Sequence, residues 1–527
     1  MLKDKLSQSL TAYMVPGIYM QLDSLPLTPN CKVDRRALPV PEMKSLFAYE
    51  APANALEEQI CAVYREVLQR DRVGALDDFF ALGGTSLRAM RVIISLANAG
   101  CRLSYGDMFK YKTPRAIAAF VQVGGEESAA AQAHFDLAHY DYSAIDQLLT
   151  APEPDLWHGF ALRPYGRILL TGATGYLGIH LLHYLLMHTD SEICCLVRAK
   201  KDVPAVERLR GMMVYYFARE WEEAFDARVR VIDGDITDDL TIRLQAEHID
   251  TVFNCAAIVK HYAAGDIMDR VNIEGVRQLI ELCAARQALL VQTSTYSIGG
   301  EIEADRPHTL TEHALYIGQQ TDNEYLRTKF LAERLVLQAM ADGRITAKIM
   351  RMGNLMGRES DGEFQLNMKN NAFAMALKSF KVLGMIPLAQ MNTAIEISPI
   401  DRSAEAVALL AQTPAAMTVF HTYNNYQVNM ALIVKAFNDY GYPISVVSQP
   451  EFAAHTEELM HDPEKAMYLQ GLLHNGKIKE GMTSVQAVNA YTAKILYRLG
   501  FYWTPTHGSY MREFIEMLDG LGFFEEN

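Results

Sequence analysis

Arg167-Ile168-Leu169-Leu170-Thr171 runs directly into Gly172-Ala173-Thr174-Gly175-Tyr176-Leu177-Gly178, and a leucine-rich stretch follows. This order reads as a short apolar strand, a tight glycine turn and the start of a helix. Glycine lets the turn close and the backbone approach a bound group. The first turn of the helix offers unpaired N–H groups to a pyrophosphate. The spacing is G-x-x-G-x-x-G rather than the simpler G-x-G-x-x-G. Alone such a pattern is weak; between a strand and a helix it is strong. Gly172, Thr174, Gly175, Tyr176, Leu177 and Gly178 are therefore expected to line a dinucleotide.

Outward from this loop, strand-like and helical patterns alternate. The expected strands are Arg167–Thr171, Ile193–Val197, Arg228–Asp233, Thr251–Asn254, Leu289–Thr293 and Ala347–Met350. Helical sequence between them implies a doubly wound, Rossmann-type parallel sheet with helices on both faces, spanning about 165–355. Beyond 355 the alternation fades into helix-rich sequence, the natural substrate-covering part, 356–527. The second strand ends on Arg198. An acidic residue there would bond the ribose 2′-hydroxyl of NAD, whereas arginine suits the 2′-phosphate of NADP. Arg208 is a second candidate clamp, and NADPH is the expected cofactor. The small residues Ala256 and Ala257, after the fourth strand, suit a position beside it.

Tyr325 and Lys329 are four apart and share one face of a helix. A free phenol has a pKa of about 10. A neighbouring ammonium is expected to favour the phenolate and make the phenol a better proton donor. Chance Y-x-x-x-K spacings are common, so the pair gains weight from Gln292-Thr293-Ser294-Thr295 at the end of a strand upstream. A hydroxyl there can bond a substrate oxygen.

A second constellation lies near the other end. Asp78-Phe79-Phe80-Ala81-Leu82-Gly83-Gly84-Thr85-Ser86-Leu87 puts a serine at a helix start after two glycines, behind an acidic, aromatic approach at Asp77–Phe80. A serine so placed also serves as an ordinary N-cap. Leu56, Ile60, Val63, Tyr64 and Val67 form an amphipathic stripe before it, and Pro114–Phe120 reads as a closing helix. The expected unit is a small all-α four-helix bundle at 52–123, preceded by a linker at 43–55 and followed by a small, polar one from Gly124.

With 527 residues, about three or four domains are expected. The balance of 49 basic against 63 acidic residues, net −14, speaks against a nucleic-acid or anionic-membrane surface. The seven cysteines have no CxxC or Cys/His ligand spacing, so neither a disulfide framework nor a metal site is expected. No apolar window is long enough to span a bilayer, and a cytoplasmic location is expected.

The run around Ser86 resembles the arm-attachment site of peptidyl carrier domains of nonribosomal peptide synthetases. The resemblance implies 4′-phosphopantetheine on Ser86, installed by a phosphopantetheinyl transferase. Residues 1–42, with Leu25-Pro26-Leu27-Thr28-Pro29-Asn30-Cys31-Lys32, resemble the tail of an adenylation domain, Lys32 matching its adenylate-binding lysine. Cys31 replaces the usual glycine and the ATP-binding body is absent, so a remnant without adenylation activity is expected. Residues 140–527 resemble the extended short-chain dehydrogenase/reductase family, and within it the thioester reductase domains that terminate nonribosomal synthetases and carboxylic acid reductases.

That resemblance implies a Thr295–Tyr325–Lys329 triad. Thr295 is preferred to Ser294 because it stands five residues before Gly300, as the family's hydroxyl residue does. It also implies an adenine contact at Asp235 and Ile236, and a segment beside nicotinamide and substrate at Gly353, Asn354 and Leu355. The implied reaction is NADPH-dependent release of a carrier-bound aminoacyl or peptidyl thioester as an aldehyde, or onward to an alcohol. Upstream adenylation or condensation modules are the implied partners. Two alternatives are a non-redox release or cyclisation domain, whose relatives tend to lose the tyrosine, and a dinucleotide-binding module without turnover.

Overall fold

In a computed structural model of the chain, the described residues are 22, 26, 49–84, 86–98, 101, 103, 105–122, 137–150, 159–200, 203–259, 267–306, 308–321, 324–368, 371–460 and 482–525. The adenylation-like tail, Lys32 included, lies outside them apart from Leu22 and Pro26. The chain forms two compact units, 1–137 and 138–527.

Among the described residues the first unit has four helices: α1 (Ala55–Leu68), α2 (Ser86–Asn98), α3 (Tyr105–Lys110) and α4 (Pro114–Gln122). Asn54 caps α1, its Oδ1 accepting from Glu57 N at 2.9 Å. Pro114 opens α4, where its missing N–H costs nothing. Ile60 and Tyr64 of the expected stripe are fully buried with Phe79, Val92, Leu96, Met108 and Ile117. Arg115 ties α4 to α1 through the buried Glu57 (Nε–Oε1, 3.2 Å).

The second unit is built on β1 (Ile168–Thr171), β2 (Ile193–Val197), β3 (Val229–Asp233), β4 (Thr251–Asn254), β5 (Leu289–Thr295), β6 (Thr346–Met352) and β7 (Val419–Thr422). The order across the sheet is β7-β6-β5-β4-β1-β2-β3, and every pair is parallel. The helices that matter for the site are α5 (Tyr176–His188) after β1, α6 (Ala205–Tyr216) after β2, α7 (Gly275–Arg286) after β4 and α8 (Glu324–Ala341) after β5. Strand order reverses between β1 and β4, and a crevice opens outside the carboxyl ends at such a point.

The boundary expected at 355 is not where the sheet ends. The chain leaves β6, returns through α9 (Ile400–Ala411) and adds β7 at the sheet edge. Ile400, Val407, Leu410, Phe420, Ile495 and Trp503 belong to the same buried core as Ile168, Leu182 and Val291. Val419-Phe420-His421-Thr422 lies beyond the regular strand–helix alternation and so does not stand out as a strand in sequence. A separate core, with Phe364, Leu377, Phe380, Ile433, Phe437, Phe514 and Leu518, holds the helix-rich remainder. Among the described residues no helix is long and apolar enough to cross a membrane, and no cluster of His, Cys, Asp or Glu is placed to hold a metal ion.

Candidate functional site

The glycine loop is shaped by backbone contact. Gly172 has φ +71°, and a Cβ there would lie 2.5 Å from Ala256 N, so only glycine lets the loop rest on the segment after β4. A Cβ on Gly178 would lie 2.2 Å from Gly172 O, which seats α5 directly under the turn. Gly175 is exposed, while Gly172 and Thr174 are half-buried. Two side chains of the run are engaged within the protein. Leu177 is buried in the core, and the Tyr176 hydroxyl lies 2.9 Å from Met356 O and 3.2 Å from Glu363 O. What these two residues can offer a dinucleotide is their N–H in the first helical turn.

A buried polar ladder forms the floor of the crevice. Thr171 Oγ1 donates to Asn254 Oδ1 (2.6 Å), and Asn254 Nδ2 donates to Gln292 Oε1 (2.8 Å). Thr293 Oγ1 donates to Asn254 O (2.8 Å), and Lys329 Nζ donates to Thr293 O (3.1 Å). The ladder fixes the ends of β1, β4 and β5 and ties Lys329 of α8 to them. Asn254 was legible only as part of a strand end, and its bridging role was not.

Thr295 ends β5, half-buried, its Oγ1 accepting from Ser297 N at 3.2 Å. Strand alternation puts Thr295 on the side of Thr293 and the buried Ser294 on the other. Burial lowers Lys329 to about 8, with Glu333 and Cys255 acting in the opposite sense. Tyr325 departs from expectation: desolvation raises its phenol to about 12 rather than the lysine lowering it. The phenol therefore stays protonated, the form a proton donor needs. A residue the sequence pattern does not single out, Asn272, holds this helix in place. It sits in a π-turn over Asp269–Glu274; its Oδ1 accepts from Ile258 N (2.8 Å), and its Nδ2 donates to Ile258 O (3.1 Å) and Thr328 Oγ1 (3.0 Å). Such turns interrupt helices frequently at functional sites.

At the far end of the crevice, Arg198 Nη1 pairs with Asp235 Oδ2 at 3.1 Å and Arg208 Nη1 donates to Arg198 O at 2.8 Å. Burial, and then the Arg198 charge, lower Arg208. Asp235 Oδ1 accepts from Thr237 N and Oγ1 (both 2.9 Å), so its carboxylate is committed to local contacts. Ile236 is buried, and its Cγ2 would lie 3.0 Å from a Cβ on Gly275 at the start of α7. Ala256 and Ala257 are half-buried beside the loop.

After β6, Gly353 N donates to Thr422 O (3.4 Å), and Asn354 Nδ2 reaches Tyr296 Oη (3.4 Å) and Glu396 O (3.1 Å). Leu355 pairs with Ser398 in a short parallel ladder. Tyr296 follows Thr295, so Asn354 reaches the residue just past the end of β5. Glu396, not foreseen, is buried; its Oε2 accepts from Asn354 N and its Oε1 from Ser398 Oγ. Burial pushes its carboxyl up to about 7.

In the first unit Ser86 begins α2; its side chain and Thr85 lie outside the described residues. The preceding turn is explained: Gly83 has φ +94°, and a Cβ on Gly84 would lie 2.3 Å from the Phe79 ring. The acidic, aromatic approach is mostly internal. Phe79 is fully buried, Asp77 is buried with Oδ2 accepting from Gly74 N (2.8 Å), and Asp78 Oδ1 accepts from Phe80 N (2.8 Å). Asp77 and Phe79 shape the turn from within, while Asp78 and Phe80 are half-buried.

Comparison with known proteins follows the same division. A family described as "Phosphopantetheine attachment site" matches residues 58–121, and one described as "Male sterility protein", an NAD-binding family, matches 170–407. A thiolation-reductase di-domain from an archaeal non-ribosomal peptide synthetase is 35% identical, with TM-score 0.79, covering 91% of this chain and all of that one (100%). A linear gramicidin synthase of Brevibacillus parabrevis is 28% identical over 93% of this chain, and the isonitrile lipopeptide synthase of Mycobacterium tuberculosis is 29% identical over 84%. The chain spans 10% and 19% of the length of those two relatives. A carrier bundle with its glycine turn at Ser86, joined to a parallel sheet with a dinucleotide loop, thus has a counterpart of the same extent, and this chain belongs to the thiolation–reductase di-domains of nonribosomal peptide synthetases.

Proposed function

We propose that this chain releases a carrier-bound aminoacyl or peptidyl thioester by NADPH-dependent reduction to an aldehyde, with Thr295, Tyr325 and Lys329 as the reacting set. One observation carries the reading: the 3.1 Å bond from Lys329 Nζ to Thr293 O, which holds the Y-x-x-x-K pair against the strand end that bears Thr295. The residues fit a dinucleotide. The loop at Gly172 is a cradle that a Cβ would fill, and Arg198 and Arg208 offer paired guanidiniums for a 2′-phosphate. Ser86 is the proposed attachment point of the phosphopantetheine arm, which carries the thioester. Bound NADPH supplies the hydride.

The chain's own residues do the rest. Thr295 donates a hydrogen bond to the thioester oxygen, and Tyr325 gives its proton as negative charge develops there. Lys329 as ammonium supports that charge and the cofactor ribose. Loss of the carrier thiol then frees the aldehyde. Upstream adenylation and condensation modules supplying the acyl group, and a phosphopantetheinyl transferase, complete the proposed setting. The test is intact mass of the arm-loaded protein, acylated with a model aminoacyl group, before and after NADPH. Loss of the acyl group matched by NADPH oxidation supports reduction; loss without oxidation supports a non-redox release domain.

For cofactor preference, Arg198→Asp is expected to weaken NADPH and favour NADH. It removes a charge-assisted phosphate contact and sets a second carboxylate beside Asp235. Losing such a contact costs on the order of 1.5–3 kcal/mol, roughly 10- to 150-fold in affinity. Titration of both cofactors measures it. Unchanged NADPH affinity assigns the selectivity to Arg208 or elsewhere.

A further inference from the structure

Lys329 has an anion one helical turn away. Glu333 is fully buried on α8, and Arg351 of β6, also fully buried, closes on it with Nη2–Oε2 at 2.9 Å and Nε–Oε2 at 3.1 Å. Arg351 further donates to Thr311 O (Nη1, 3.1 Å) and Ala314 O (Nη2, 2.9 Å), and its Nη1 lies 3.0 Å from His421 Nε2. A guanidinium only donates, so His421 accepts through Nε2 and donates from Nδ1 to Val488 O (2.6 Å). The register of β6 with β7 pairs Arg351 with His421 and sets this contact. Burial, and then the Arg351 charge, hold the imidazole neutral, well below its usual range. The result is a dry row of groups: neutral imidazole, cation, anion and the Lys329 cation.

Stability alone explains this row poorly, because a buried ion pair is often no better than apolar residues of the same volume. Its position explains it better. We propose that Glu333 is a positioning residue for the reductase: its carboxylate, oriented by Arg351 and His421, keeps Lys329 as an ammonium in the desolvated floor of the crevice. This rests on the reading of Lys329 given above. The described groups facing Lys329 are Tyr325 and Glu333 on its own helix, the Thr293 carbonyl of β5 and Cys255 after β4. Those behind Glu333 are Arg351 and His421, with His313 beyond. Burial pushes the Cys255 thiol up to about 12, so that sulfur carries no charge near neutral pH. Glu333 is then the one carboxylate among the described groups facing Lys329. Without it, no carboxylate offsets the desolvation that drives the ammonium toward the neutral amine.

The sign of the pH dependence follows. Lys329 works protonated, so activity is present below its pKa and is lost as pH rises through it, near the value of about 8 that burial and Glu333 together set. The experiment is the pH profile of NADPH oxidation by the full chain with a soluble aminoacyl N-acetylcysteamine thioester. The wild type is expected to show a falling limb that disappears in Lys329→Arg, whose side chain does not lose its proton. Glu333→Gln is expected to move that limb to lower pH. A displacement of one unit costs about tenfold in rate above the limb, with recovery toward the wild-type rate at acid pH. Glu333→Asp keeps the carboxylate and is expected to hold the limb close to its wild-type place.

Gln at 333 leaves Arg351 buried without its counter-charge, so the double variant Glu333→Gln with Arg351→Met removes both charges at similar volume. A limb displaced in the same direction, by less than in the single variant, is expected from it. An unmoved limb in either folded variant, or an equal loss of rate at every pH, overturns the proposal. A falling limb that persists in Lys329→Arg overturns instead the role of Lys329, and this inference with it.

Discussion

Ser86→Ala is expected to abolish arm attachment completely while leaving both units folded. Incubated with a phosphopantetheinyl transferase and coenzyme A, the variant should show no mass gain where the wild type gains one arm. The effect is all-or-none because the hydroxyl is the proposed attachment atom. Folding should survive because the core of the bundle is made by Ile60, Tyr64, Phe79, Leu96 and Ile117, and the turn before α2 is set by Gly83 and by Gly84 against the Phe79 ring. Losing an N-cap costs about 1 kcal/mol at most sites, well within what a packed bundle tolerates. The variant should still oxidise NADPH with a small thioester supplied in solution. Failure there would mean that the two units do not divide carrier and reductase roles, and a mass gain in the variant would move the attachment site away from Ser86.

The parts of this fold that sequence disclosed are those where local physics is enough. The strands at 193–197 and 251–254 stand where the apolar runs put them, and β1, β3, β5 and β6 differ only at their ends. Each is a short apolar or alternating run bounded by helical sequence, a pattern that needs no tertiary information. Likewise Gly172 is needed by a left-handed turn, and Lys329 stands four residues after Tyr325 on a helix. What stayed hidden depends on residues far apart in sequence. His421 becomes a partner of Arg351 only because β7 adds to β6 after a long excursion. Asn272 bridges Ile258 and Thr328, and neither contact leaves a trace in spacing. Tyr176 looked like a loop residue by position, yet its hydroxyl reaches Met356 O and Glu363 O, which join the glycine helix to the helix-rich part. The phenol of Tyr325 was misjudged for the same reason: its pKa depends on how dry the assembled site is, and only the fold sets that.

Tyr325→Phe is expected to lower the rate of hydride transfer by about 10²- to 10⁴-fold, the usual worth of a positioned acid. The substitution keeps the ring and removes only the hydroxyl, so the helix that carries Lys329 should not move. Lys329 keeps its bond to Thr293 O, and the glycine loop lies on different elements, so NADPH affinity should change little. The loss should therefore fall on turnover, as for an interaction made mainly in the transition state. The pH profile gives a second check. Desolvation holds the phenol at about 12, above the working range, so Tyr325 is a full proton donor throughout and contributes no limb near neutrality. The falling limb assigned to Lys329 should accordingly persist in the variant at its wild-type position, under a lower plateau. Single-turnover NADPH oxidation with the loaded carrier measures the step directly. The same variant divides the readings of this chain: a reductase loses hydride transfer, a cyclisation-type release domain keeps release, and a dinucleotide sensor has no turnover to lose. Oxidation at the wild-type rate would remove Tyr325 from the chemistry and leave Thr295 and Lys329 without the acid their arrangement serves.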